Sequence, residues 1–156
     1  MISEFSLKKE RSYIRVLSVA IIHNNDKILA GGCFDPKNNN GFYRLPGGSV
    51  EFGEKSKEAL EREFMEEMGE KIENIELFDV KEDVFEFNGK KCHEIIFLYN
   101  CDFVNKELYK KDKIYAIEEE HKGEYFEWIS PDSTTLQYIQ KIGIKNKSKF
   151  CSFYKK

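Results

Sequence analysis

Long apolar runs are missing from this 156-residue chain: no stretch approaches the roughly 20 residues that a membrane-spanning helix requires. The stretch from Met1 to Arg11 is too polar and charged for a secretory signal, so a cytoplasmic setting without a membrane partner is expected. Cysteine is sparse and scattered. Cys33, Cys92, Cys101 and Cys151 have no paired metal-ligand spacing, which points to free thiols rather than a structural zinc site. A strong charge of either sign is also lacking. The net charge of −3 argues against non-specific binding of a nucleic-acid polymer, and the basic tail (Lys145, Lys147, Lys149, Lys155, Lys156) reads as a solubilising terminus. No internal repeat or low-complexity tract is present. What remains is ample for one core: 40% hydrophobic and 14% aromatic residues suit a single domain over 1–156, with 1–12 and 145–156 as extensions.

Strand signals dominate. Ile14 to His23 is rich in β-branched residues and apolar on both alternating faces, as expected of a central strand, and Asn24, Asn25 and Asp26 supply a turn into a partner strand, Lys27 to Ala30. Gly31-Gly32 and the polar stretch Asp35 to Asn40 read as a flexible loop, a plain connection in preference to a lid. Ile75 to Phe87 alternates partially, Asn88-Gly89 is a strong hairpin signal, and the return strand Cys92 to Phe103 is apolar on both faces. After the charged connection Asn105 to Lys113 come short strands at Ile114 to Ile117 and Gly123 to Ile129. A last helix starts near Pro131, with Leu136, Ile139 and Ile142 on one face. The total predicts an α/β fold, a mixed sheet with helices on both sides. His93 reads as a satisfied sheet histidine, because alternation sends Glu94 to the other face.

The chemistry concentrates in one acidic stretch. Gly47, Gly48 and Gly53 read as loop, the run from Lys55 to Met68 as a helix without proline, and Gly69 as its stop. At roughly 100° per residue, Glu63, Glu66, Glu67 and Glu70 share a face beside an apolar stripe of Leu60, Phe64 and Met68. Like charges at i,i+4 cost a helix about 0.2 to 0.5 kcal/mol each, and a divalent cation reverses that sign. Mg²⁺, or Mn²⁺, takes such oxygen ligands together with water and substrate phosphates. The bland alternative is a solvated acidic face. Tyr43-Arg44-Leu45-Pro46 leads into the glycine loop, which places Arg44 close to the helix, either for a phosphate or for a salt bridge to a surplus glutamate.

Gly48, five residues, Glu54, seven residues, then Arg62-Glu63-Phe64, one residue, Glu66-Glu67, one residue and Gly69 resembles the signature of the Nudix hydrolase family. Two positions depart from it, Phe64 and Glu70, where the pattern prefers aliphatic residues. The resemblance implies a Nudix-type α/β/α sandwich and metal-dependent hydrolysis of a diphosphate linkage in a nucleoside diphosphate joined to another moiety. It also implies roles. Glu66 and Glu67 would be metal ligands, and Glu63 either a ligand or the group that orients and deprotonates water. Arg62 would hold Glu63, the carbonyl of Gly47 or Gly48 would complete the coordination, and Glu54 would close the loop onto the helix. An acidic residue from a distant loop joins the site in some members, and of Glu118, Glu119 and Glu120 the choice here is Glu120, against a solvated turn. None of the extra signatures of substrate subfamilies is found; Glu86, Phe87 and Asn88 stand where two of them carry proline or tyrosine. The expected partner is therefore a nucleotide-type diphosphate of open identity, and a homodimer is left open. The competing reading is a non-catalytic nucleotide-binding sensor of the same fold.

Overall fold

The β-branched run beginning at Ile14 does not stay in one sheet. In the computed structural model, which describes residues 13–130 with the side chains of Phe34 and Asn40 excepted, it forms β1 (Arg15–Ile21) and, past a break at Ile22, β2 (His23–Asn24). Leu17, Val19 and Ile21 enter one core cluster while Ala20 and Ile22 enter the other, which is why the run is apolar on both faces. β1 lies inside a mixed four-stranded sheet. Its neighbours are β5 (Gly47–Ser49), antiparallel, and β7 (Lys90–Phe103), parallel; β6 (Ile72–Phe87) pairs antiparallel with β7 at the edge. Asn88 and Gly89 join β6 to β7 with φ of 48° and 77°, the left-handed pair that a tight hairpin turn demands. On β7, His93 bonds Glu82 at 2.8 Å, while Glu94 turns to the buried side and faces Arg15 at 3.5 Å.

The second sheet is built on β3 (Lys27–Asp35). β2 and β4 (Asn40–Arg44) pair with it along its length, β9 (Tyr125–Ile129) lies on the other side, and β8 (Lys113–Tyr115) is outside β9. The expected flexible loop from Gly31 to Asn40 is thus a β-hairpin, with only 36–39 as its turn. The reason is packing at Gly31: a Cβ there would lie 3.0 Å from the Phe126 ring, so glycine serves close approach within a strand. Asp35 fixes the turn by accepting from the backbone N–H of Lys37 at 3.0 Å and from Asn38 Nδ2 at 2.7 Å. Gly47 and Gly48, expected as loop, likewise belong to a strand, pairing with Val19 and Ser18.

α1 (Ser56–Met68) follows the predicted span closely. The Glu58 carboxylate accepts from the Lys55 backbone N–H at 3.0 Å, and Gly69, with φ 67°, returns its N–H to the Met65 carbonyl. Ala59, Leu60, Phe64 and Met68 are buried between the two sheets' strands, with Phe64 edge-on to Phe103 at 5.9 Å. Each fully buried Leu or Phe contributes about 1.5 to 3 kcal/mol, so the apolar stripe outweighs the acidic repulsion by several-fold.

α1 is the one α-helix among the described residues; the helix expected from Pro131 and the terminal extensions 1–12 and 145–156 lie outside them. No helix there is long and apolar enough to cross a membrane. Cys33 and Cys101 are free thiols.

One irregularity of the second sheet positions everything below. β9 pairs with β3 only from Ile28 to Gly31, whereas β4 pairs with it from Gly31 to Asp35. Past Gly31 the β3–β4 arm and the β8–β9 arm therefore part, and the sheet forks.

Candidate active site

Arg62 organises the acidic stretch. Its Nε donates to Glu54 Oε1 at 2.8 Å and its Nη2 to Glu54 Oε2 at 3.1 Å and to the Ser49 carbonyl at 2.9 Å; its Nη1 reaches Glu63 and Glu66, each at 3.0 Å. A planar fork of five donors suits this, and a point-charge ammonium does not. Glu54 also receives the backbone N–H of Glu51, so it ties the loop after β5 to α1, as expected. Arg62 holds the Glu54 carboxyl below its ordinary range, and Glu54 in turn raises Arg62 further above neutrality. The Glu63 carboxylate lies against the backbone of Gly48, in the space a Cβ there would fill.

The four glutamates are not equivalent. Glu66 is exposed on its helix face, and Glu70 stands beyond α1, where its carboxylate accepts from Asn105 at 3.3 Å. Glu67 is buried with the apolar stripe, and one of its oxygens, Oε2, has no hydrogen-bond partner. Burial pushes its carboxyl up to about 7 against the pull of Arg44, with the charges of Glu63 and Glu118 adding to the rise. Glu63 is raised too, first by burial, although Arg62 opposes it. Arg44 stands 3.7 Å from Glu67 and 3.8 Å from Glu124, at ion-pair distance from both.

The distant acidic cluster comes near the helix through the segment that precedes its 3-10 turn. Glu118 is the residue whose charge bears on both Glu63 and Glu67, whereas Glu120 stands exposed in the 3-10 turn Glu119–His121. A backbone bond from Ile117 N–H to the Glu67 carbonyl, 2.8 Å long, anchors this segment to α1. His121 faces Glu124 at 3.3 Å and Glu118 at 3.6 Å. The sequence reading passed over His121 and Glu124; their signal was the three-residue spacing Glu118, His121, Glu124.

A cleft of about 460 Å³ occupies the fork. Glu67, Arg44, His121 and Glu124 line it on the helix side, and Gly32, Gly41, Tyr43, Tyr125 and Glu127 also line it. Such a volume is typical of small-molecule sites. Tyr43 O–H donates to Glu127 at 2.8 Å, which raises the phenol and keeps it a donor. Cys33 borders the same cleft, its thiol raised by burial.

The donor set suits a hard divalent cation: carboxylates and backbone carbonyls only, one buried carboxylate oxygen without a partner, and a glycine backbone pressed against Glu63. Among the described residues no group of three His, Cys, Asp or Glu side chains is gathered tightly enough to hold an ion as it stands. Arg62 bridges Glu63 and Glu66, and Arg44 stands at Glu67.

The pattern of the NUDIX domain matches residues 14–147. Among solved structures, the MutT NUDIX hydrolase of Burkholderia pseudomallei superposes with a TM-score of 0.58 at 25% identity, covering 78% of this chain and 87% of its own. A Nudix hydrolase family member from Chromobacterium violaceum gives 0.55 at 20% identity, over 94% and 82% of the two chains. The MutT protein of Methanosarcina mazei gives 0.51 at 24%, over 97% and 100%. These last two speak for the fold alone. The family match runs from the first strand through the acidic helix to the fork and past it, so the chain belongs to the Nudix hydrolase family and is a Nudix pyrophosphohydrolase.

Proposed function

We propose that this chain hydrolyses a diphosphate linkage in a nucleoside diphosphate joined to another group, with Mg²⁺, or Mn²⁺ in its place, as cofactor. Glu66, Glu67 and the Gly48 carbonyl would hold the cation, with Glu63 close enough to share it. When bound, the cation supplies charge neutralisation at the phosphate oxygens, without which a polyanion repels its nucleophile. The observation that carries this reading is the buried Glu67, half without hydrogen-bond partners, at the mouth of a nucleotide-sized cleft beside Arg44.

The chain's own groups supply the rest. Glu63, gripped by Arg62 and laid against Gly48, orients a water and takes its proton as the water oxygen attacks phosphorus; the bridging P–O bond breaks, and the electron pair leaves on the departing phosphate. Arg62 and Glu54 act as positioning residues. Arg44 binds substrate phosphate once its carboxylate partners are otherwise engaged. Glu118 replaces Glu120 as the acidic contribution from the distant segment, because it is the one whose charge reaches Glu63 and Glu67.

The test is incubation with Mg²⁺ and a panel of nucleoside triphosphates, nucleotide sugars, ADP-ribose and dinucleoside polyphosphates, with products identified by mass. The expected result is a pair of phosphate products whose masses sum to substrate plus one water. Glu63→Gln is expected to lower kcat by about 10²- to 10⁴-fold. Nucleotide that stabilises the protein yet yields no product on long incubation would replace this reading with the sensor.

A further inference from the structure

The fork has a second lip, away from the acidic helix, which the phosphate chemistry leaves unused. Cross-strand register puts Ala30 and Gly32 of β3, Tyr43 of β4 and Glu127 of β9 on one face, because Gly32 pairs with Tyr43 and Ala30 with Glu127. Strands two places apart stand about 9.6 Å from each other. Tyr43 and Glu127 meet across that span because the intervening β3 side chains are small or absent.

The glycines on this lip are not there for packing. A Cβ on Gly32 would meet nothing within 4 Å, and one on Gly41 only the Cys33 carbonyl at 3.8 Å. Gly31, by contrast, is required by the Phe126 ring at 3.0 Å. A strand glycine without a packing reason marks a surface that something else approaches closely. Tyr125 stands half-exposed at the wall, edge-on to Tyr115 at 5.8 Å. The resulting trough is floored by the exposed Gly32 and Gly41, closed at its inner end where Ala30 enters the core, and has aromatic sides, the shape of a slot for a flat ring.

Glu127 is oriented and left uncompensated. Its cross-strand neighbour on β8 is Lys113, the natural partner for a carboxylate, yet Lys113 Nζ lies over the Tyr125 ring at 4.1 Å and no ion pair joins the two. The hydrogen-bond partner of Glu127 among the described residues is the Tyr43 hydroxyl, which takes one lone pair of Oε1 and leaves the other, with Oε2, to accept a pair of donors. An ionised carboxylate only accepts, so what it recognises is a donor edge. Among nucleobases, guanine offers two adjacent donors, N1–H and the N2 amino group; adenine and cytosine offer a donor beside an acceptor, and uracil a donor between two acceptors.

We infer that this lip is a base slot in which Glu127, aimed by Tyr43, reads a guanine-type edge, so that the preferred substrates are guanine nucleoside diphosphates joined to a further group. The inference rests on the phosphate end being where the proposed function puts it. A nucleotide then threads the fork, phosphates toward Arg44 and Glu67 and base over Gly32.

Calorimetric titration of the Mg²⁺-loaded full chain with the non-hydrolysable α,β-methylene diphosphates of guanosine, adenosine, cytidine and uridine tests it without turnover. Guanosine is expected to bind at least about tenfold more tightly than the other three, the low end of what a bidentate base contact discriminates. Glu127→Gln presents one donor and one acceptor, the complement of adenine, and is expected to bring guanosine and adenosine to near parity. Tyr43→Phe keeps the ring, releases the carboxylate and is expected to narrow the preference several-fold. Melting temperatures without ligand separate a merely structural role, which would lower all four affinities together. Equal binding of the four bases, binding of none, or a guanosine preference that survives Glu127→Gln would overturn the inference. Guanosine-selective binding by a chain that hydrolyses nothing would instead overturn the proposed function and leave the slot standing.

Discussion

A buried carboxylate oxygen without a hydrogen-bond partner costs stability whenever the group is charged, and Glu67 has one. Burial raises its folded pKa from 4.5 to about 7, while the unfolded chain keeps the ordinary value. Between those values the folded state retains a proton that the unfolded state has released. Stability therefore falls as pH rises through that window, and the whole cost is present above it. Glu67→Gln is expected to stabilise the cation-free protein at pH 8 by on the order of 2 kcal/mol and to change little at pH 4. Urea denaturation in a chelator at both pH values reads this; equal stability of the two proteins at pH 8 would mean that the carboxylate is solvated after all. The same substitution is expected to abolish hydrolysis, so stability and activity move in opposite directions, as they do where strain is kept for function. Arg62 gives the contrasting case. Arg62→Lys keeps the charge but loses the fork that grips Glu54, Glu63 and the Ser49 carbonyl together. It is expected to lower both activity and melting temperature, with a stability loss of about 1 to 3 kcal/mol.

Among the elements, β5 shows how two adjacent glycines serve different ends. Gly47 has φ 137°, and a Cβ there would run into the Ser18 carbonyl of β1, so the requirement belongs to the strand pairing itself. Gly48 has no positive φ, and the nearest atoms its Cβ would meet are those of the Glu63 carboxylate. Gly47→Ala is therefore expected to destabilise the fold by more than about 2 kcal/mol. Gly48→Ala is expected to cost less than about 1 kcal/mol in stability yet reduce activity about 100-fold, because displacement of a catalytic group by an ångström is enough. Thermal melts and initial rates on the two variants separate the effects; similar stability losses would show that Glu63 does not set the tolerance at Gly48. The helix next to β5 was legible from sequence because its signals are local: an apolar stripe at helical spacing, a run without proline and Gly69 closing it. The strand glycines were not. Gly31 and Gly32 read as loop punctuation, and what makes Gly31 a strand residue is the Phe126 ring, which lies far along the chain.

At the scale of the molecule, the site lies where α1, carried by the first sheet, meets the forked end of the second. The acidic helix could be read from a contiguous motif, whereas the cleft is assembled from β3, β4, β9 and the segment after β8, distant in sequence and joined only by the fold. For the same reason the choice among Glu118, Glu119 and Glu120 could not be made from their run, since a 3-10 turn sends neighbours in different directions. Arg44 belongs to this junction: it comes from β4 in the second sheet and faces Glu67 on α1 and Glu124 before β9. Its guanidinium occupies part of the field that a divalent cation would use. At about 4 Å, two unit charges in a medium of effective dielectric 20 interact by roughly 4 kcal/mol, an upper limit for a half-solvated pair. On the proposed function a cation bound at Glu67 would compete with the arginine for the same carboxylate and would free Arg44 for phosphate; linkage requires such a coupling to run in both directions. Arg44→Gln is expected to bind Mg²⁺ about tenfold more tightly in the absence of nucleotide, and to bind a non-hydrolysable nucleoside diphosphate more weakly in its presence. Calorimetric titration of Mg²⁺ into the two proteins measures the first effect, and a Mg²⁺ affinity unchanged or weakened by the substitution would show that the arginine does not hold the cation's place.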